Sequence, residues 1–167
     1  AGAAALYNRE FYELVNKNLN KNGVLQQWAQ LHHVTRNDLF HVIGTLRSEF
    51  QYVWLYLVGG QGILVATNSD KAFPNKENNN LMKQIPYLQN HTNENKNPFI
   101  SLNQTLILTP KSVNKMLNEF KSKYGIFPIS DNDNNILEYS TPKGNVLDAG
   151  RSHLQNVEWL KSFIEDI

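Results

Sequence analysis

Three glycines in four residues, Gly59-Gly60-Gln61-Gly62, interrupt two stretches that otherwise read as strand. Gln51 to Val58 and Ile63 to Thr67 are rich in β-branched, aromatic and aliphatic side chains, the composition of a pleated, packed surface. A connection this short joins antiparallel neighbours, because a parallel crossover needs a dozen residues or more. The same context excludes a phosphate cradle. A dinucleotide fingerprint places its glycines between a strand and a helix, whose first amides meet the anion. Here a strand lies on either side, so the cluster is a hairpin turn.

Upstream, Leu6 to Leu19 reads as a helix with Tyr7, Phe11, Leu14, Val15 and Leu19 on one stripe. Asn22-Gly23 is expected to stop it in the left-handed conformation. Val24 to Leu31 follows as a strand. Thr35 is a capping residue, with Asp38 at the third helical position favouring the helix dipole. The helix that follows carries Leu39, Val42, Ile43, Leu46 and Phe50 as its apolar stripe. Residues 1–67 therefore read helix, strand, helix, strand, strand, an α/β pattern.

Downstream, residues 68–167 read as a tail. Asn68 to Pro98 is polar, with a short helix expected around Leu81 to Leu88. Thr109-Pro110 starts a helix, with Pro at the first position, a stripe of Val113, Met116, Leu117, Phe120 and Tyr124, and Gly125 as its stop. Asp131 to Asn135 is a polar turn. A last helix from Arg151 to Glu165 is expected to bury Leu154, Val157, Leu160 and Phe163.

Composition removes several function classes. Sixteen basic against fifteen acidic residues leave a formal charge of +1, which argues against a nucleic-acid-binding domain held by a broad basic surface. No cysteine is present, so the chain has no disulfide, thiol nucleophile or iron–sulfur ligation of its own. No apolar run reaches the roughly 18–20 residues of a membrane helix. The opening Ala1-Gly2-Ala3-Ala4-Ala5 lacks the basic flank and apolar core of a signal peptide, and the expected location is the cytoplasm. A start in small residues is also what a fragment would have. Twenty-three asparagines are the compositional oddity. With that many, the acceptor tripeptides at Asn90 and Asn103 are expected by chance.

Few side chains gather into chemistry. His32-His33 and His41 invite a metal, yet adjacent histidines point apart on an extended chain and only Asp38 stands near. His32 and His33 do follow the end of a strand, where open α/β sheets bind ligands, so they are candidates to line a pocket without metal. Asp131 and Asp133 read as a solvated turn. Trp54 and Trp159 read as core. Gln26-Gln27-Trp28 is the most informative group. A strand between two amphipathic helices is expected to be apolar on both faces, and buried glutamine costs a few kcal/mol unless it is hydrogen-bonded. Either the strand end is solvated or its amides line a polar pocket.

Several stretches together resemble the spermidine synthase-like proteins, the polyamine aminopropyltransferase family. They are "LYNREFYELVNKNLNKNGVLQQW", "LFHVIGTLRSEFQYVWLYLVGGQGILVAT" and "DNDNNILEYSTPKGN". The first is similar to the helix, turn and strand that follow the family's acidic catalytic loop. The second is similar to its next helix and closing hairpin. The third resembles the long bacterial members, which are often fused to membrane-spanning segments. The likeness covers nearly the whole chain and is strongest from Leu6 to Thr67.

The resemblance implies the C-terminal part of a Rossmann-like (class I methyltransferase-like) sheet, ending in an antiparallel hairpin and followed by a helical tail. Its chemistry transfers an aminopropyl group from decarboxylated S-adenosylmethionine to a polyamine acceptor, without metal. The family's nucleoside loop, ribose-holding acid and catalytic aspartates all precede the segment that begins here. This chain is therefore expected to be inactive alone, to supply no catalytic residue, and to need an N-terminal half as partner. A family glutamine that contacts the diamine matches Trp28 or, with a one-residue shift, Gln27. The expected substrate-binding residues are Gln27, Trp28, His32 and His33. The family also places a tyrosine in a longer loop where this chain has only Gly59 to Gly62. The free edge of a truncated sheet is a liability, expected to be covered by the tail or paired in a homodimer. A non-catalytic interaction domain and part of an S-adenosylmethionine-dependent methyltransferase are the alternatives.

Overall fold

The hairpin anchors the architecture. In the computed structural model, which describes residues 4–70, 104–144 and 148–164 (141–144 as backbone), β2 (Tyr52–Val58) and β3 (Gln61–Thr67) pair antiparallel. Gly59 and Gly60 form their two-residue turn with φ of 57° and 80°, the pair of positive angles that tight hairpin turns demand. β1 (Leu25–Ala29) pairs antiparallel with the other side of β3, and β4 (Leu106–Leu108) pairs with β2. The sheet order is β1-β3-β2-β4.

The chain is thus mixed α/β, as expected, with a four-stranded antiparallel sheet. β1 and β2 both run opposite to β3, so they point the same way, but β3 lies between them and no parallel ladder forms among the described strands. One neighbouring element, β4, went unread in the sequence. β4 is three residues long, too short for a periodic signal. Its pairing covers the outer edge of β2, while no described strand pairs with the other edge of β1.

Alternation along the strands sets the faces. Gln27, Leu64, Leu55 and Leu108 follow in register on one face, where Leu55, Leu64 and Leu108 are fully buried. Trp28 and Ile63 belong to the opposite face. Trp54 is on that opposite face too and is only half-buried, not the core residue expected of it.

Helix α1 (Arg9–Asn18) follows a short 3-10 turn at Ala4–Tyr7. It buries Tyr12 and leaves Leu14 61% exposed, so the expected stripe is off by part of a turn. Its stop also differs. Leu19 turns extended, with φ −72° and ψ 137°, and Gly23 is not left-handed. Glycine instead gives room at this turn, since a Cβ there would sit 2.7 Å from Leu19 Cδ2 and 3.0 Å from Asn20 O, so the leucine would have to shift.

Helix α2 (Arg36–Glu49) lies at the centre, contacting α1, β2, α3 (Pro110–Tyr124) and α4 (Ile136–Gly144). Leu39, Ile43, Leu46 and Phe50 are buried as the stripe predicts, and so are His41, Gly44 and Thr45. A helix buried on most sides must satisfy its polar groups. His41 Nδ1 donates to Asn37 O at 2.8 Å, and Thr45 Oγ1 donates to His41 O at 2.6 Å.

α3 begins and ends as its sequence predicts. Thr109 Oγ1 accepts from the Ser112 amide at 3.2 Å, and Gly125 closes it at φ 74°. α5 (Ala149–Lys161) starts two residues earlier than expected, where Asp148 caps it by accepting from the Arg151 amide. Leu154 is 62% exposed rather than buried, because Ser152, Asn156, Val157 and Leu160 take the inward face. Asn156 Nδ2 donates to Leu31 O and Val34 O, tying α5 to the β1–α2 connection.

The Asp131 turn is structural. Asp131 Oδ1 accepts from the Asp133 and Asn134 amides, and Oδ2 pairs with Arg9 at 2.6 Å. The helix expected around Leu81 to Leu88 and the tripeptide at Asn90 lie outside the described residues.

Candidate functional site

The carboxyl end of β1 and the first turn of α2 border one pocket. The sequence builds this corner through a capping box. Thr35 Oγ1 accepts from the Asp38 amide at 3.2 Å, while Asp38 Oδ2 accepts from the Thr35 amide at 2.7 Å and its hydroxyl at 2.8 Å. Ser140 of α4 donates to the other oxygen, Oδ1. Asp38 is buried, at 3% exposure.

Beside Asp38 lies a pocket of about 120 Å³. Tyr7, Trp28, Gln30 and Asp38 give its polar borders; Ala29, Val34, Leu39, Val42 and Leu137 are among its apolar walls. Among the described residues of the lining, Asp38 is the one acid and no lysine, arginine or histidine is present. An ionised carboxylate has about four acceptor positions. Among the described residues three donors meet it, two Thr35 groups on Oδ2 and Ser140 on Oδ1. Burial pushes the Tyr7 phenol up, so it stays a neutral donor, and it gives its hydrogen bond to Trp28 O at 2.9 Å. The chemistry is that of a small, largely apolar cleft with an anionic corner, which favours a cation carrying an aliphatic stem.

The four residues named from the sequence have separate fates. Trp28 borders the pocket, 45% exposed, and its Nε1 donates to Gln61 Oε1 at 2.7 Å. Gln27 does not line it. Its Oε1 accepts from Tyr12 Oη at 2.7 Å and its Nε2 donates to Leu6 O at 2.8 Å. Gln27 thereby straps the Ala4–Tyr7 turn, which carries Tyr7, against β1. This resolves the puzzle of a glutamine on a packed face: both ends of its amide are hydrogen-bonded. Tyr12, its partner, has its phenol pushed up, chiefly by burial.

His32 and His33 stand away from the pocket, past the end of β1, with their rings edge to face at 5.3 Å. His33 takes a left-handed φ of 56° and its amide donates to Ser152 Oγ at 3.1 Å. Its Nδ1 is buried and has no hydrogen-bond partner among the described residues. Among the described residues no three histidines or acids converge as a metal site would require.

Asp38 and Leu137 were not read as site residues. Asp38 carried a visible signal, the Thr35-to-Asp38 spacing, but that signal accounts fully for a cap. Leu137 carried none, since α4 is brought over the pocket only by tertiary packing.

Neither the protein-family models nor the curated proteins include a match to this chain. Among the described residues no helix is long and apolar enough to cross a membrane.

Proposed function

We propose that this chain is the acceptor-side, C-terminal half of a spermidine synthase-like aminopropyltransferase, with the amine bound beside Asp38. The observation that carries the reading is the pocket itself: one buried carboxylate, no opposing cation among the described lining residues, and apolar walls. A protonated amine on an alkyl chain complements it in both charge and shape. Two features of the fold support the same reading. β1 and β2 run the same way around an antiparallel β3, the arrangement expected of a Rossmann-like sheet closed by a hairpin. No described strand pairs with the other edge of β1, where an N-terminal half would add its own strands.

In this reading the acceptor nitrogen attacks the carbon beside the sulfonium of decarboxylated S-adenosylmethionine. The new C–N bond forms as the C–S bond breaks. The sulfur keeps the electron pair and leaves as a neutral thioether, and the nitrogen loses a proton. Asp38 holds the acceptor's other, protonated amine and so sets its reach. Gln27 positions Tyr7 at the lip, and Trp28 forms the outer border. The donor cradle and the proton acceptor belong to the N-terminal half, so the chain is inactive alone.

Aminopropyl transfer by the intact gene product tests this. Asp38→Asn raises the acceptor KM about tenfold, the worth of one charge-assisted contact, with a smaller change in kcat. Binding of neither decarboxylated nor ordinary S-adenosylmethionine by the intact protein would overturn the proposal. Use of the ordinary donor alone would make it a methyltransferase instead. The unpaired edge of β1, with Leu6, Val24 and Trp28 exposed near it, favours a second reading as a homodimerising interaction domain. Concentration-dependent mass in solution, with no donor binding, would support that one.

A further inference from the structure

A second cleft, of about 200 Å³, lies on the other side of α2, where α2, α3 and α5 meet. Its walls are aromatic. Phe40 stacks obliquely on Phe120 at 4.7 Å and edge-on to Trp159 at 4.9 Å, and Tyr124 lies 4.6 Å from Phe120. Its rim is cationic. Arg36 and Lys123 line it, and neither has a carboxylate within ion-pair distance among the described residues.

Those cations already use the rings. Arg36 Cζ sits 5.8 Å from the Trp159 centroid and Lys123 Nζ 5.1 Å from that of Tyr124. The rings of Trp159 and Tyr124 are therefore already met by cations, and the rim's own positive charge disfavours an incoming ammonium. Two cations against the single acid Glu119 leave the rim net positive. Aromatic walls still offer edges and apolar surface to a flat ring. Asn37 adds a neutral polar group to the lining.

We infer that this cleft binds an aromatic anion, a flat ring bearing a carboxylate or phosphate, with the ring against Phe40 and Trp159 and the anionic group between Arg36 and Lys123. The site is independent of the amine pocket, from which its lining is wholly distinct.

Titration by two-dimensional NMR tests it, with Trp159 Nε1–H as reporter, assigned through Trp159→Phe. The probes are 2-naphthoate, 2-naphthyl phosphate and the neutral 2-naphthylmethanol. Both acids are expected to shift the Trp159 signal saturably and to bind tighter than the alcohol, and the tighter acid identifies the headgroup. Arg36→Gln and Lys123→Gln should each weaken the acids about fivefold, the upper end for exposed charge pairs, and leave the alcohol unchanged. Glu119→Gln should tighten them. Arg36, Lys123 and Glu119 are all exposed, so the three variants test the site with the fold retained. No saturable shift at Trp159, equal binding of acid and alcohol, or acid affinity indifferent to Lys123→Gln would each overturn the inference.

Discussion

Gly44→Ala measures how firmly the tail is docked on the core. Gly44 lies mid-way along α2, where glycine is a poor choice by propensity. Alanine there would gain about 1 kcal/mol in an unobstructed helix. The segment after α3 crosses at this point. A Cβ on residue 44 would sit 2.3 Å from Pro128 O, 2.8 Å from Pro128 Cγ and 3.3 Å from Leu117 Cδ2. Ordinary contact needs about 3.5 Å, so Pro128 must withdraw by roughly 1 Å. Two residues on, Ser130 is held by three hydrogen bonds. Its amide donates to Thr45 Oγ1 at 2.8 Å, its hydroxyl to Asn8 Oδ1 at 2.7 Å, and its carbonyl accepts from the Arg9 amide at 2.9 Å. Ser130 is fully buried, so a loosened bond is not recovered from water. Overpacking costs about 1–3 kcal/mol and a lost buried hydrogen bond about 1–3 more. Against the propensity gain, the net is a loss of about 3 kcal/mol, or roughly 6–12 °C in Tm for a chain of this size. Thermal and urea unfolding followed by circular dichroism reads it directly. A variant equal to or more stable than the parent would refute the docking of Pro128 on α2.

Two further substitutions probe the fold around the sites. Asn156→Ala removes the amide that donates to Leu31 O at 3.0 Å and Val34 O at 2.9 Å, leaving two carbonyls short; urea unfolding should show a loss of about 2–4 kcal/mol. Burial pushes the Tyr56 phenol up to about 12 from an ordinary value near 10. Folding therefore favours its protonated form, and that stability is complete below pH 10 and lost as pH rises from 10 to 12. Tyr12 is shifted the same way. Tm measured from pH 8 to pH 12 should fall above pH 10, and Tyr56→Phe should remove part of the fall, up to about 2 kcal/mol. A flat profile would contradict the assigned burial.

What the sequence disclosed and what it withheld follow a physical line. Features with local causes were legible: the Gly59-Gly60 turn, the Thr35 and Thr109 caps, Pro110 at a first helical position, and the left-handed Gly125. Features set by distant contacts were not. Leu154 looks inward by periodicity, but Asn156 holds the inward face through bonds to Leu31 and Val34. β4 is too brief to declare itself, and its strand state comes from pairing with β2. Gly23 was read as a conformational device when its role is space beside Leu19. The candidate site divides the same way. Trp28 was named and borders the pocket. Gln27 was named for contact with substrate but is bonded to Tyr12 and Leu6. Asp38 was visible only as a cap, because its place in the pocket lining depends on α4 and on the Ala4–Tyr7 turn closing around it.

The anionic pocket is the centre of this account, and a titration of the chain with 1,4-diaminobutane tests it most directly. Backbone amide signals of Trp28, Gln30 and Asp38 are the reporters, and 1,4-butanediol is the uncharged control of the same length. The account predicts saturable shifts at these three with the diamine, little response to the diol, and about tenfold weaker diamine binding in Asp38→Asn with the helical circular dichroism retained. Equal shifts from diol and diamine, or diamine binding that ignores the loss of the Asp38 charge, would contradict it.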